Sequence, residues 1–125
     1  MSLRLVLAPE LPSIHGDAFL LRQALVNLID NAADFSPPRG EIELRMDVDA
    51  RQLRIHVADR GQGIPEYAMP RVFERFYSLP RPDGGSRSSG LGLCFVAEVA
   101  ALHAGTATLG NRDGGGATAT LVIPL

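Results

Sequence analysis

Residues 20–37 (LLRQALVNLIDNAADFSP) carry the most regular hydrophobic pattern in the chain. Leu21, Ala24, Leu25, Leu28 and Ala32 recur at the three- and four-residue spacing of a buried helical face. Gln23, Asn27 and Asn31 recur every four residues on a neighbouring face, so three carboxamides line up along the axis. Asn is a mediocre helix former, and two in mid-helix cost stability unless their side chains have a task. A neutral amide oxygen can bind a hard cation such as Mg²⁺ while the ion keeps its phosphate ligands. A solvated surface stripe is the plainer alternative. Asp17 offers an N-cap, and Ser36-Pro37-Pro38 stops the helix.

From Gly40 the period changes to two. Ile42, Leu44, Met46 and Val48 face one way, and Glu41, Glu43, Arg45, Asp47 and Asp49 the other. Leu53, Ile55 and Val57 repeat the pattern after a turn at Ala50-Arg51, which predicts a hairpin with one buried face. Residues 3–7 alternate more weakly and predict a first short strand, with Pro9 and Pro12 bracketing a loop. Residues 70–77 predict a short helix with Val72, Phe73 and Phe76 inward and Arg75 elsewhere. Residues 78–89 (SLPRPDGGSRSS) have no periodicity and predict a mobile loop. Gly90-Leu91-Gly92-Leu93 then opens an apolar helix through Leu102, which Gly105 ends. Residues 106–110 and 117–123 predict a closing hairpin around Asp113-Gly114-Gly115-Gly116. With no internal repeat and no linker, residues 1–125 are expected to form one domain.

Composition narrows the function classes. The 125 residues are 46% hydrophobic with a net charge of −2, as in a globular domain. No basic excess supports nucleic-acid binding. No apolar run approaches the roughly 18 residues of a membrane span, and no signal peptide is visible. Met1-Ser2-Leu3 reads as an added start, so the chain is expected to be a piece of a longer protein. The single cysteine, Cys94, excludes an internal disulfide and suits a reducing compartment. All 12 basic residues are arginine. A phosphate-binding GxxxxGK[ST] loop, the lysine of Ser/Thr/Tyr kinases and Schiff-base chemistry are therefore excluded.

Two glycine-rich stretches carry candidate chemistry. Asp59 stands at a strand end ahead of Gly61 and Gly63, where the backbone can approach a ligand that the carboxylate binds. A plain Gly-rich turn is the alternative. Ser88, Ser89, Gly90 and Gly92 precede a helix, where free N–H groups and the positive dipole end favour phosphate. Neither pair of glycines completes GxGxxG, because Glu66 and Phe95 occupy the third positions.

Taken in order, Asn27…Asn31-Ala32, Asp59-x-Gly61-x-Gly63, Phe73…Phe76 and Gly90-Leu91-Gly92-Leu93 resemble the ATP-binding catalytic domain of sensor histidine kinases. They match its N box, first glycine box, F box and second glycine box, and the resemblance runs from about Leu3 to Leu125. The wider GHKL superfamily also holds the DNA gyrase B subunit, heat-shock chaperone ATPases and anti-sigma-factor kinases. The string Arg75-Phe76-Tyr77-Ser78-Leu79-Pro80-Arg81-Pro82 resembles carbon-source-responsive sensor kinases in particular. The resemblance implies a Bergerat-type α/β (α+β) two-layer sandwich: a mixed, mostly antiparallel sheet with helices on one face. It implies Mg²⁺ and ATP as cofactors, with ATP between the polar-striped helix and a lid.

By the same resemblance, Asn31 is the Mg²⁺ ligand and Asn27 its partner near the phosphates. Asp59 accepts the adenine 6-amino hydrogen bond, Gly61 and Gly63 admit the base, and Ile64 packs near it. Phe35 replaces a tyrosine against adenine, keeping the ring without the hydroxyl. Tyr77 and Leu93 complete the site, and Ser88, Ser89, Gly90, Leu91 and Gly92 offer backbone N–H groups to the phosphates. Arg75, Arg81 and Arg87 are the cations for the γ-phosphate. The chain departs from the pattern at Asp34, where a basic residue is common, and at Ser78, where arginine is common. Ser88 replaces the first glycine of GTGLGL, and Ala117 stands where threonine is common, with Thr118 beside it.

Hydrolysing relatives such as gyrase place a water-activating glutamate at the position of Asn27, which cannot act as a base. That substitution favours phosphoryl transfer. The acceptor histidine of sensor kinases lies on a separate dimerising helical hairpin. Here His15 is expected in a loop, His56 on the outward side of a strand and His103 at a helix end. The implied function is a cytoplasmic kinase domain that donates its γ-phosphate to a histidine on that dimerisation domain and works with a cognate response regulator. Its parent would be anchored in the inner membrane, with no nucleic-acid partner and no direct membrane contact by this segment. An ATPase and a non-catalytic nucleotide-sensing module are the rival readings.

Overall fold

The computed structural model describes residues 2–9, 14–75, 77 and 92–125. The period-two stretch becomes strands β2 (Glu41–Asp49) and β3 (Gln52–Ala58), paired antiparallel with Leu44 opposite Val57 and Met46 opposite Ile55. Ala50 and Arg51 between them both adopt positive φ, 50° and 62°, as a two-residue hairpin turn demands. Strand β5 (Ala117–Pro124) adds antiparallel to β3, and β4 (Thr106–Asn111) closes that side by pairing with β5. Strand β1 (Ser2–Leu7) runs parallel to β2 at the other edge, with Leu5 beside Leu44. A parallel pair needs a crossover, and helix α1 (Ala18–Phe35) supplies it. The sheet order is β1-β2-β3-β5-β4.

Helix α2 (Gly92–Leu102) lies beside α1. Ala24, Leu28 and Ala32 of α1 and Val96, Val99 and Ala100 of α2 pack in one core with Ile42, Leu44, Leu53, Ile55, Val57, Ala119, Leu121 and Ile123 of the sheet. The opposite face is polar, with His56 Nδ1 3.0 Å from Thr120 Oγ1. This is the expected two-layer sandwich. Leu3, Leu5 and Leu7 share the side of Ile42, Leu44 and Met46 yet stay 49%, 56% and 49% exposed. Among the described residues, no helix is long and apolar enough to cross a membrane.

Both helices are closed by local chemistry. Asp17 Oδ1 accepts the Leu20 N–H at 3.0 Å, the N-cap expected of it. Ser36 leaves the helix in extended conformation ahead of Pro37, and its hydroxyl donates to Ala32 O at 2.8 Å. At the end of α2, Gly105 N–H donates to Ala100 O (2.8 Å) and Ala104 N–H to Ala101 O (3.1 Å), a Schellman closure. The left-handed residue is Ala104, at φ 59°, so Gly105 is not the residue that reverses the chain. Gly105 serves a different purpose, because a β-carbon there would overlap Val122 O of β5. His103, just past α2, accepts the Asp17 N–H on Nε2 (3.1 Å) and therefore donates from Nδ1 to Val99 O (2.8 Å).

The short helix expected over residues 70–77 is instead a 3₁₀ turn, Met69–Arg71, followed by further turns. The segment bonds mostly over three residues, Ala68 N to Pro65 O, Arg71 N to Ala68 O and Glu74 N to Arg71 O, beside a four-residue bond from Met69 N to Pro65 O. A stretch this short gains little from cooperative α-helical bonding. Val72 is still buried and Phe73 half-buried.

Candidate functional site

Strand β3 delivers Asp59 to the end of the sheet, where it is 5% exposed. Its own N–H donates to Ala117 O at 2.9 Å, which extends the β3–β5 ladder by one residue. Its Oδ1 accepts two backbone donors, Gly61 N–H at 2.9 Å and Ala117 N–H at 3.1 Å. The carboxylate is thus fixed in orientation before any ligand arrives. The glycines around it are required by contact. A β-carbon on Gly61 would overlap the Phe35 carbonyl oxygen, and one on Gly116 would overlap the Asp59 carbonyl oxygen.

Behind the loop lies a second apolar cluster of Phe35, Ile64, Ala68, Val72 and Ala117. Tyr77 and Leu93 pack against it, and the Arg71 guanidinium carbon sits 4.5 Å from the centre of the Tyr77 ring. Ala117 contributes only backbone to Asp59, and Thr118 points to the other face of the sheet, opposite Ala58. The hydroxyl that the sequence resemblance leads one to expect at this place is therefore missing from the Asp59 side.

The carboxamide stripe of α1 connects this loop with the head of α2. Gln23 Nε2 donates to Asn27 Oδ1 at 2.9 Å, and Asn27 Nδ2 donates to Gly92 O at 3.3 Å. One turn on is half-buried Asn31, and one more turn reaches Phe35, whose carbonyl abuts Gly61. Asn27, Asn31 and Phe35 thus mark a line of about 12 Å along the helix, eight residues at 1.5 Å each. Asp34 is exposed. Arg75 lies across from α2 and donates to Glu98 Oε1 at 3.0 Å. Hydrogen bonds to Cys94 and then Glu98 hold its guanidinium pKa above the ordinary value.

Phe76, Arg81, Arg87, Ser88, Ser89, Gly90 and Leu91, named from the sequence, lie outside the described residues. Two residues were not foreseen. Asn111 Oδ1 accepts the Ile64 N–H at 2.7 Å while its Nδ2 donates to Ile64 O at 2.9 Å. Arg112 donates to Asp59 O at 2.8 Å. No spacing signal links them to the loop, because their partners are 47 and 53 residues away.

The site combines an oriented, buried acceptor, glycines required where backbone packs on backbone, and an apolar wall. No group of three or more His, Cys, Asp or Glu able to hold a metal occurs among the described residues. The neutral amide of Asn31 suits an ion that brings its own phosphate ligands.

The fold and site define an α/β nucleotide-site sandwich, and comparison with known proteins gives its family. Residues 16–125 match the histidine kinase-, DNA gyrase B- and HSP90-like ATPase family, and the chain belongs to it. It is 51% identical over 113 residues to the sensor protein CreC of Escherichia coli (strain K12), covering 90% of this chain and 24% of that protein. It is similar in structure to the mycobacterial sensor histidine kinase MprB, with TM-score 0.83, 30% identity and coverage of 98% and 80%. Full-length ShkA, solved in complex with AMPPNP, superposes with TM-score 0.81 at 32% identity, covering 98% of this chain and 25% of ShkA. The chain spans about a quarter of the length of CreC.

Proposed function

We propose that this chain binds Mg²⁺-ATP and presents the γ-phosphate to a histidine on the dimerisation domain of the same, longer protein. The phosphoryl group would then pass to a cognate response regulator. The observation that carries the reading is the fixed Asp59 carboxylate beside Gly61, at one end of the Asn27–Asn31–Phe35 line. Asp59 Oδ1 is occupied by backbone, so Oδ2 is the oxygen that accepts from the adenine 6-amino group. Phe35 and Ile64 back the base, with Gly63 admitting it and Tyr77 and Leu93 closing the apolar side. Asn31 serves the metal ion, whose charge offsets that of the phosphates, and Asn27 stands one turn closer to α2. Arg75 and, outside the described residues, Arg87 are the cations proposed for the γ-phosphate. Backbone N–H groups of Ser88, Ser89, Gly90 and Leu91 are proposed for the other phosphate oxygens, with Gly92 next in line.

Catalysis on this reading is positioning and charge stabilisation. Asn27 supports transfer over hydrolysis, since its amide is tied to Gln23 and to Gly92 and has no basic group to activate water. Titration calorimetry with Mg²⁺-ATP should show binding that Asn31→Ala weakens strongly; equal affinity would remove Asn31 from the site. With the helical hairpin added back, a radiolabelled transfer assay should yield an acid-labile, base-stable phosphoryl group. Brisk phosphate release by the 125-residue chain alone would favour an ATPase. Binding without transfer to the restored hairpin would favour a sensing module. The similarity to sensor kinases supports a cytoplasmic domain of an inner-membrane-anchored parent, with no nucleic-acid partner and no membrane contact by this segment.

A further inference from the structure

The loop from Asp59 to Ile64 has no secondary structure of its own, yet it is held at both ends by one short segment, residues 111–117. At its start, Asp59 donates its N–H to Ala117 O and accepts the Ala117 N–H on its side-chain Oδ1, and Arg112 donates to its carbonyl. At its end, Asn111 makes a two-way bond with Ile64, 2.7 Å to the N–H and 2.9 Å to the carbonyl. That pair copies with a side chain what a neighbouring strand does with its backbone. A carboxamide supplies donor and acceptor together in one plane without needing a proton. Asn111 is itself the last residue of β4, paired with Ala117, which donates to the Asp59 carboxylate. Within the turn, Arg112 N–H donates to Gly116 O at 2.8 Å, which fixes the two ends of the brace relative to each other.

We propose that Asn111 is a positioning residue for base recognition, setting the height of the Gly61–Gly63 backbone and the aim of Asp59 through its two bonds to Ile64. This deepens the nucleotide-binding reading and rests on it. Loss of the brace lets the end of the loop drift from the base while the carboxamide stripe and the head of α2 stay in place. The defect should therefore fall on discrimination between bases more than on folding.

The test compares wild type with Asn111→Leu, which has similar volume and neither hydrogen bond, and Asn111→Asp, which keeps only the acceptor. Each is titrated with Mg²⁺-ATP and Mg²⁺-GTP, melted, and followed by amide hydrogen exchange at Ile64. The expected result for Asn111→Leu is a loss of about tenfold in ATP affinity, about 1.4 kcal/mol. The ATP-over-GTP ratio should fall and Ile64 exchange should quicken. Asn111→Asp should fall between the two and keeps the test open if Asn111→Leu does not fold. A lowered melting temperature with an unchanged ATP-over-GTP ratio would overturn the proposal, leaving Asn111 as a structural brace only. Wild type that binds no ATP, or does not prefer it to GTP, overturns the nucleotide reading beneath it instead.

Discussion

Asp59 shows how burial makes one carboxylate specific. Two backbone N–H groups converge on Oδ1, so the side chain cannot rotate without leaving both donors unpaired in a buried place. Asp59→Asn tests this well, because an amide oxygen can still accept from Gly61 and Ala117 while its NH₂ replaces Oδ2. The variant should fold. It should meet the adenine amino group with a donor, lose roughly 1.5–3 kcal/mol of ATP binding and discriminate poorly between ATP and GTP. Calorimetry checks both, and undiminished ATP affinity would reduce Asp59 to a turn residue. Asp59, Gly61 and Gly63 were legible because strand end, acid and glycines are contiguous in the chain. Asn111 and Arg112 were not, since they act on residues 47 and 53 positions away through the folded sheet. The position of Arg75 was also hidden, as its pairing with Glu98 depends on where α2 packs.

The elements that periodicity predicts well are those whose buried face runs unbroken. Helix α1 and the β2–β3 hairpin each bury one stripe against the same core, so pattern and structure agree. Residues 70–77 do not form the helix that their apolar spacing predicts, because a few apolar residues at that spacing do not reveal that the segment bonds mostly over three residues. At the end of α2, the glycine beside the helix closes it by a hydrogen bond, while positive φ falls on Ala104. Two substitutions there should have opposite signs. Ala104→Gly relieves an exposed, left-handed alanine, and should stabilise by about 0.5–1 kcal/mol. Gly105→Ala drives a β-carbon into Val122 O, a backbone atom that cannot swing aside, and should destabilise by about 1–3 kcal/mol. Urea unfolding midpoints with an unchanged slope would measure both. If both changes shift the midpoint in the same direction, the assignment of the two positions fails.

Two tethers join the helices to segments distant in sequence, and they fall on either side of residues 78–91. Asn27 reaches Gly92 at the head of α2, while Arg75, following the 3₁₀ turn, reaches Glu98 farther along the same helix. The second pair is exposed, 61% and 57%, so solvent screens it and it adds little to stability. Its interest is competition. Glu98 holds the guanidinium proposed for the γ-phosphate, and the cation must turn from one anion to the other. Charge loss does not drive that exchange. A guanidinium held above its ordinary pKa keeps whatever it contributes at every lower pH and loses it only in strong alkali. Near neutral pH the exchange depends instead on phosphate arriving and on salt. Glu98→Gln should leave the melting temperature nearly unchanged and tighten Mg²⁺-ATP, because Arg75 then has phosphate as its stronger partner. Arg75→Gln should weaken Mg²⁺-ATP, and the double variant should match Arg75→Gln, since Glu98 acts only through that cation. Titrations at low and raised salt measure all three, with the differences shrinking as salt rises. If every variant binds like wild type, the pair is a strap between the 3₁₀ segment and α2, and the γ-phosphate cation must be sought elsewhere.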